Sequence, residues 1–224
     1  MNSYFSSTLF RKTLAALSGL FLVIFLIGHL IGNLQLILLS GEAAQKKFNE
    51  YALFMTTNPA VKILSIVTYT SIILHILLTI ILVLQSKQAR PIGYAVEGGG
   101  ENSAWASRNM ALLGSLLLVF IILHMKSFWY EMHWGAIGND PSGNKDLYTV
   151  TVVAFQNIWY TAFYVFSMII LGFHLSHGIG SGFQTIGLKT RKYLEPIEKT
   201  AILFSILIPS AFASIPIILY LQSL

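Results

Sequence analysis

Five apolar stretches, residues 13–39, 60–84, 108–129, 151–183 and 201–220, run through this chain. Each is long enough to cross a hydrocarbon layer of ~30 Å at ~1.5 Å of helix rise per residue. Because a backbone in lipid must satisfy its own N–H and C=O groups, such stretches are expected as helices. They predict an all-α integral membrane protein, a five-helix bundle forming one membrane domain over residues 1–224. With 55% of its residues hydrophobic and 10% charged, the chain has no room for a separate soluble domain. The first stretch follows Arg11 and Lys12 as a signal peptide would, but it far exceeds an apolar signal region of ~7–15 residues and is expected to be retained as a helix.

Charge orients the bundle. With the N-terminus inside, nine Lys and Arg residues fall on inner segments (Arg11, Lys12, Lys87, Arg90, Arg108, Lys189, Arg191, Lys192 and Lys199) and five on outer ones (Lys46, Lys47, Lys62, Lys126 and Lys145). The positive-inside bias therefore predicts a cytoplasmic N-terminus and an external C-terminus, and it accounts for the net charge of +5 without a nucleic-acid partner. Between the first two spans, Ala44, Phe48, Tyr51, Ala52 and Met55 recur at helical spacing, which predicts a short helix on the outer surface, with Pro59 in the first turn of the next span. The inner connection carries Arg90-Pro91 and Gly98-Gly99-Gly100 and reads as a loop. Phe128, Trp129, Tyr130 and Trp134 suit an outer interfacial belt, and "NDPSGNK" at 139–145 is turn chemistry.

The spans contain five histidines, His29, His75, His124, His174 and His177, and a sixth, His133, falls in the outer loop. Measured by helix rise from the span midpoints, His29 lies roughly 4–5 Å and His124 about 8 Å to the outer side, whereas His75 lies roughly 4–5 Å and His174 about 10 Å to the inner side. The four sort into an outer pair, His29 with His124, and an inner pair, His75 with His174, each drawn from two different helices. That pattern suits two haems stacked across a bilayer, each iron held between imidazoles from opposite faces. Zinc fits less well, because its sites gather three or four ligands at one depth. Glycines near the histidines, Gly19, Gly28, Gly32, Gly114 and Gly172, leave backbone free of bulky side chains. The absence of cysteine excludes thiolate-held clusters and covalent haem attachment. Gly178, Gly180 and Gly182 follow no strand and read as helix packing, and Ser176 has neither an elbow nor an acid for hydrolase chemistry.

Four motifs in order, "FLIGHLIGNLQ" at 25–35, "SIILHILLTI" at 71–80, "FIILHMKSFW" at 120–129 and "FHLSHG" at 173–178, are similar to the haem-ligand motifs of a known family. The whole chain resembles the five-helix cytochrome b subunit that anchors dihaem succinate:quinone oxidoreductases, including fumarate reductases, in bacterial membranes. The resemblance implies two haem b groups, the inner held by His75 and His174 and the outer by His29 and His124, with the histidine after Phe173 as the fourth ligand. It implies a flavoprotein and an iron–sulfur protein docked on the cytoplasmic face of the bacterial inner membrane, and quinone, expected as menaquinone, as the membrane substrate. The chain departs from some relatives at Gly172, where they place an acidic residue for proton transfer, so that route is not carried over.

The expected function is therefore electron transfer between the iron–sulfur subunit and quinone, reversible toward fumarate reduction, with no action on succinate by this chain itself. Glu50 is a candidate at an outer quinone site, and His177, one turn inward of His174, is a candidate partner for propionates, quinone or the docked subunits. Arg11, Lys12, Arg90 and Arg108 are candidates for the same partners or for the lipid surface. Two rival readings are a dihaem anchor for another dehydrogenase or a hydrogenase, and a membrane transporter with a histidine relay.

Overall fold

Asn58 and Pro59 show how local chemistry starts the helices. The Asn58 side chain accepts from the backbone N–H groups of Ala60 and Val61 at 2.9 and 3.3 Å, and Pro59 occupies the first turn, where its missing N–H costs nothing. Ser7 caps the first helix in the same way, accepting from Phe10 N–H at 3.2 Å. In a computed structural model that describes residues 7–89 and 103–224, the elements are α1 (Thr8–Asn33), a four-residue α2 (Gln35–Leu38), α3 (Gly41–Thr57), α4 (Pro59–Gln88), a short α5 (Trp105–Arg108), α6 (Met110–His124), a π-helical segment (Met125–Tyr130), α7 (Glu131–Trp134), α8 (Leu147–Phe155), α9 (Ile158–Thr185) and α10 (Leu194–Leu221). Arg90 and the 98–100 glycine run lie outside the described residues.

Five of these units are long and apolar enough to cross a membrane: 8–38, 59–88, 110–134, 158–185 and 194–221. Their large apolar side chains point outward, with Ile24, Ile31, Ile63 and Ile66 each more than three-fifths exposed. In a soluble protein such a surface would drive association, whereas lipid is its ordinary solvent. The protein is a multi-pass membrane protein built of helices over the described residues, where the extended pairing is one isolated bridge, Asn139 with Lys145. Helix α9 is the central element, packing along α10, α1 and α6, while α4 lies against α1.

Two span limits differ from those read in the sequence. The fourth span begins at Ile158, not at 151, because residues 147–155 form the separate helix α8. Asn157 causes the break: its side chain accepts from Trp159 and Tyr160 N–H at 2.9 and 3.2 Å and caps α9, while Thr161 donates to the Phe155 carbonyl at 2.9 Å across the gap. The third span continues past 129 to Trp134, so Phe128, Trp129, Tyr130 and His133 belong to helix and not to a loop. In α10, Pro209 and Pro216 each remove a backbone hydrogen bond, and Pro209 frees the Ser205 carbonyl four residues back. Gly172 lets α9 lie against that oxygen, since a Cβ at 172 would stand only 3.0 Å from it. Any side chain at 172, an acidic one included, would crowd α10.

The expected surface helix is α3. It buries Ala44, Phe48, Asn49 and Ala52 at one end of the bundle, beside Leu36, Phe155, Ile215 and Leu219. Asn49 is fully buried and holds this end together. Its amide donates to Asp140 Oδ2 at 3.1 Å and to Asp146 Oδ1 at 2.9 Å, and its oxygen accepts from Tyr148 N–H at 2.9 Å. Gln45 donates to Asp146 Oδ2 at 2.7 Å. Asp140 also closes the 139–145 turn, accepting from Ser142 and Asn144 N–H at 2.9 Å each, with Gly143 at φ 85°, where a Cβ would be strained.

Burial alone would raise both carboxyls, but the hydrogen bonds outweigh it. Asn144 N–H, the Asn49 amide and Ser142 N–H hold Asp140 below the usual carboxylate range; the Thr149 hydroxyl, Asn49, Thr149 N–H and Gln45 do so for Asp146. A folded-state value below the unfolded one gives stability that is complete at neutral pH and lost as pH falls below about 4. Thermal unfolding in detergent from pH 7 to pH 3 is expected to show this loss. Asn49→Ala, which removes one hydrogen bond from each carboxylate and leaves Tyr148 N–H without its acceptor, is expected to cost about 2–3 kcal/mol at pH 7 in the same measurement.

Candidate functional site

Mid-helix imidazoles are costly in lipid unless each nitrogen finds a partner. In this bundle four of the rings adjoin in pairs. His29 of α1 and His124 of α6 have ring centres 5.7 Å apart with planes at 89°, and His75 of α4 and His174 of α9 have centres 6.3 Å apart at 76°. The structure thus brings four of the sequence-predicted residues together as two pairs, each from two helices.

The pairs sit at different levels. His75 abuts Gly19 of α1, where a Cβ would stand 2.9 Å from the ring, and Gly19 precedes His29 by ten residues. His174 lies nearest Gly114 of α6, ten residues before His124; Tyr164, which contacts His124, is ten residues before His174 on α9. At ~1.5 Å per residue, three helices independently separate the pairs by roughly 15 Å along the bundle. The His29–His124 pair is nearer the end closed by α3.

One nitrogen of each paired ring can be followed. His75 Nδ1 donates to the Ala15 carbonyl at 3.0 Å when it carries the ring proton, which leaves Nε2 with its lone pair. His124 Nδ1 lies 3.3 Å from the Tyr164 hydroxyl, itself 3.1 Å from the Tyr160 hydroxyl. A metal-ligating histidine uses a second-sphere contact of this kind to fix its tautomer and ring orientation. His174 Nδ1 is buried, with no hydrogen-bond partner among the described residues. His29 stacks on Phe25 with ring centres 5.3 Å apart and meets Phe212 at 5.7 Å. The Asn33 amide donates to the His29 carbonyl at 2.8 Å and stands 3.4 and 3.5 Å from the two ring nitrogens.

Chemically, each pair is a two-imidazole donor set in apolar surroundings. Imidazoles bonded to one metal from opposite sides, with metal–nitrogen distances of ~2.0–2.1 Å, place their ring centres roughly 6 Å apart. Both observed separations agree with that value, and the tautomers available to His75 and His124 leave the nitrogen that such a bond needs. Among the described residues no three His, Cys, Asp or Glu side chains converge, so a four-coordinate protein cage is not formed there. The donor set fits a metal whose remaining positions are filled by a macrocycle.

The other predicted residues lie apart from the pairs. His177 is half-buried on α9, one turn beyond His174, toward the end where Lys189 pairs with Glu198 at 3.0 Å. Glu50 is on α3, 3.4 Å from Lys47 and 4.0 Å from Lys46, its carboxylate committed to surface lysines. His133 Nδ1–H donates to the Trp129 carbonyl, 2.8 Å away. Tyr164 and Tyr160 were missed by sequence reasoning, since tyrosine in a membrane helix resembles any other aromatic. The π-helical segment immediately after His124 was missed as well. It turns Phe128 toward His124, at 5.6 Å between ring centres, and Trp129 toward α4, where its indole N–H donates to Tyr69 at 2.7 Å.

No protein family, curated protein or solved structure matches this chain. Gly19 gives a test that depends on geometry alone. Gly19→Leu is expected to push the His75 ring off the Ala15 carbonyl and to cost about 1–3 kcal/mol by thermal unfolding. Gly28→Leu, at a site with nothing within 4 Å of its Cβ, is expected to be neutral or stabilising.

Proposed function

We propose that this chain is the dihaem cytochrome b anchor of a succinate:quinone oxidoreductase, with one haem b between His75 and His174 and a second between His29 and His124. The observation that carries the reading is the meeting of four histidines as two ring-to-ring pairs at two levels. A proton relay needs a chain of exchangeable groups bridging the levels; the helices between the pairs offer buried Leu117, Met168 and Ile170, and the buried hydroxyls of Ser167 and Thr68 are tied to the carbonyls of their own helices, Phe163 at 2.8 Å and Leu64 at 2.9 Å. When bound, haem b supplies a one-electron Fe(III)/Fe(II) couple at each level, suited to joining a docked iron–sulfur subunit to quinone dissolved in the membrane.

The protein's own residues bind, orient and insulate. Ala15 holds the His75 tautomer through its carbonyl, Gly19 and Gly114 leave room beside the imidazoles, and Phe25, Phe120, Phe128 and Phe212 keep water from the His29–His124 pair. The flavoprotein and iron–sulfur partners would dock on the cytoplasmic face, which the excess of Lys and Arg assigns to the end where α9 turns into α10. That end holds Lys189, Arg191, Lys192 and Lys199, with His177 at its edge. Quinone, expected as menaquinone, would react at the opposite end, nearer His29 and His124.

A dithionite-reduced minus oxidised spectrum of the purified protein tests the reading. A b-type signal with two haems per chain is expected. Alanine at His29 or at His124 should abolish one spectral component, and alanine at His75 or at His174 the other. Purified protein without haem would overturn the proposal, and loss of the same component from all four variants would overturn the pairing.

A further inference from the structure

The two histidine pairs have different surroundings, and the difference assigns a task to a pair of tyrosines. Tyr164 is 6% exposed, and its ring is boxed by Phe120, Phe155 and Tyr160 at centre distances of 5.0, 4.9 and 4.8 Å. The box fixes where its hydroxyl points. That hydroxyl lies between His124 Nδ1 at 3.3 Å and the Tyr160 hydroxyl at 3.1 Å.

The direction of the hydrogen bonds follows from the ring. If His124 binds a metal through Nε2, its single proton resides on Nδ1, and among the described residues the Tyr164 oxygen is the acceptor in reach. Tyr164 then has one proton left to donate, and the Tyr160 oxygen receives it. A phenol that gives its own proton away is a better acceptor, because hydrogen bonds in a chain polarise one another. At the other pair the His75 Nδ1–H meets a backbone carbonyl, Ala15, that no side-chain substitution removes.

Resting on the haem reading above, we propose that Tyr164 is a positioning residue for His124. Backed by Tyr160, it fixes the tautomer and rotation of that imidazole and raises its basicity, and it acts on the His29–His124 haem alone. A stronger acceptor at Nδ1–H makes the imidazole a better donor to iron and favours the oxidised state. Loss of the acceptor therefore shifts the midpoint potential upward.

Tyr164→Phe and Tyr160→Phe in the whole protein, read by potentiometric titration of the haem bands and by electron paramagnetic resonance of the oxidised state, decide the matter. In Tyr164→Phe the haem assigned to His29 and His124 by the alanine variants is expected to titrate at a higher potential with altered g-values, while the other haem keeps both. Tyr160→Phe is expected to shift the same haem in the same direction by less. Should Tyr164→Phe fail to retain haem, Tyr160→Phe is read in its place. Two unchanged haems in the variants, or equal shifts in both haems, would overturn the assignment of Tyr164. Absence of haem from the unaltered protein would instead overturn the reading on which it rests.

Discussion

An imidazole in the middle of a membrane bundle has two nitrogens and no water, and most of what is distinctive here answers that constraint. Each ring must place one N–H and one lone pair. For His75 and His124 the N–H can go to Ala15 and to Tyr164, and the second nitrogen is left for the neighbouring imidazole or for a shared metal. His174 is the exception, its buried Nδ1 having no hydrogen-bond partner among the described residues. The pair His75–His174 is thus lopsided, one ring tethered to a helix carbonyl and the other oriented by packing. Under the proposed reading, a bond at Nε2 is what would fix the second ring.

The existence of five spans was legible because a run of some twenty apolar residues suits a membrane-crossing helix and little else. Their ends were less so. Residues 151–155 read as span because they are apolar, but Thr151 and Phe155 are buried against protein and not lipid, and composition does not distinguish those two environments. The shift of the fourth span's start from 151 to 158 is seven residues, or ~10 Å of rise, as large as the depths used to sort the histidines. The sorting depended only on which side of the midplane each residue fell, and the rings adjoin in those same pairs.

A better ruler was present in the sequence. Gly19 precedes His29 by ten residues and Gly114 precedes His124 by ten, and each glycine faces a histidine of the other pair. Two helices carrying glycine and histidine at one common spacing are what two stacked sites of one size require. Gly172 has a different cause. It answers the carbonyl that Pro209 frees in α10, and the close approach of α9 and α10 there leaves no room for a side chain at 172. Tyr164 carried no comparable signal, because its contact with His124 joins residues forty apart.

The polar network at the α3 end and the histidines are linked mechanically. Asp146, held by Asn49 and Gln45, caps α8 by accepting from Thr149 N–H at 3.1 Å. Helix α8 ends at Phe155, whose carbonyl takes the Thr161 hydroxyl of α9 and whose ring packs on Tyr164. Tyr164 in turn meets His124. A run of hydrogen bonds and ring contacts therefore reaches from a carboxylate cluster at the end of the bundle to a ring inside it. The break at Asn157 makes this possible: a continuous helix from 147 to 185 would carry the Asp146 cap away from the Asn49 network, whereas a hinge lets α8 dock under α3 while α9 stands upright. The loop and the break thus position Tyr160 and Tyr164 beside the pair they are proposed to tune.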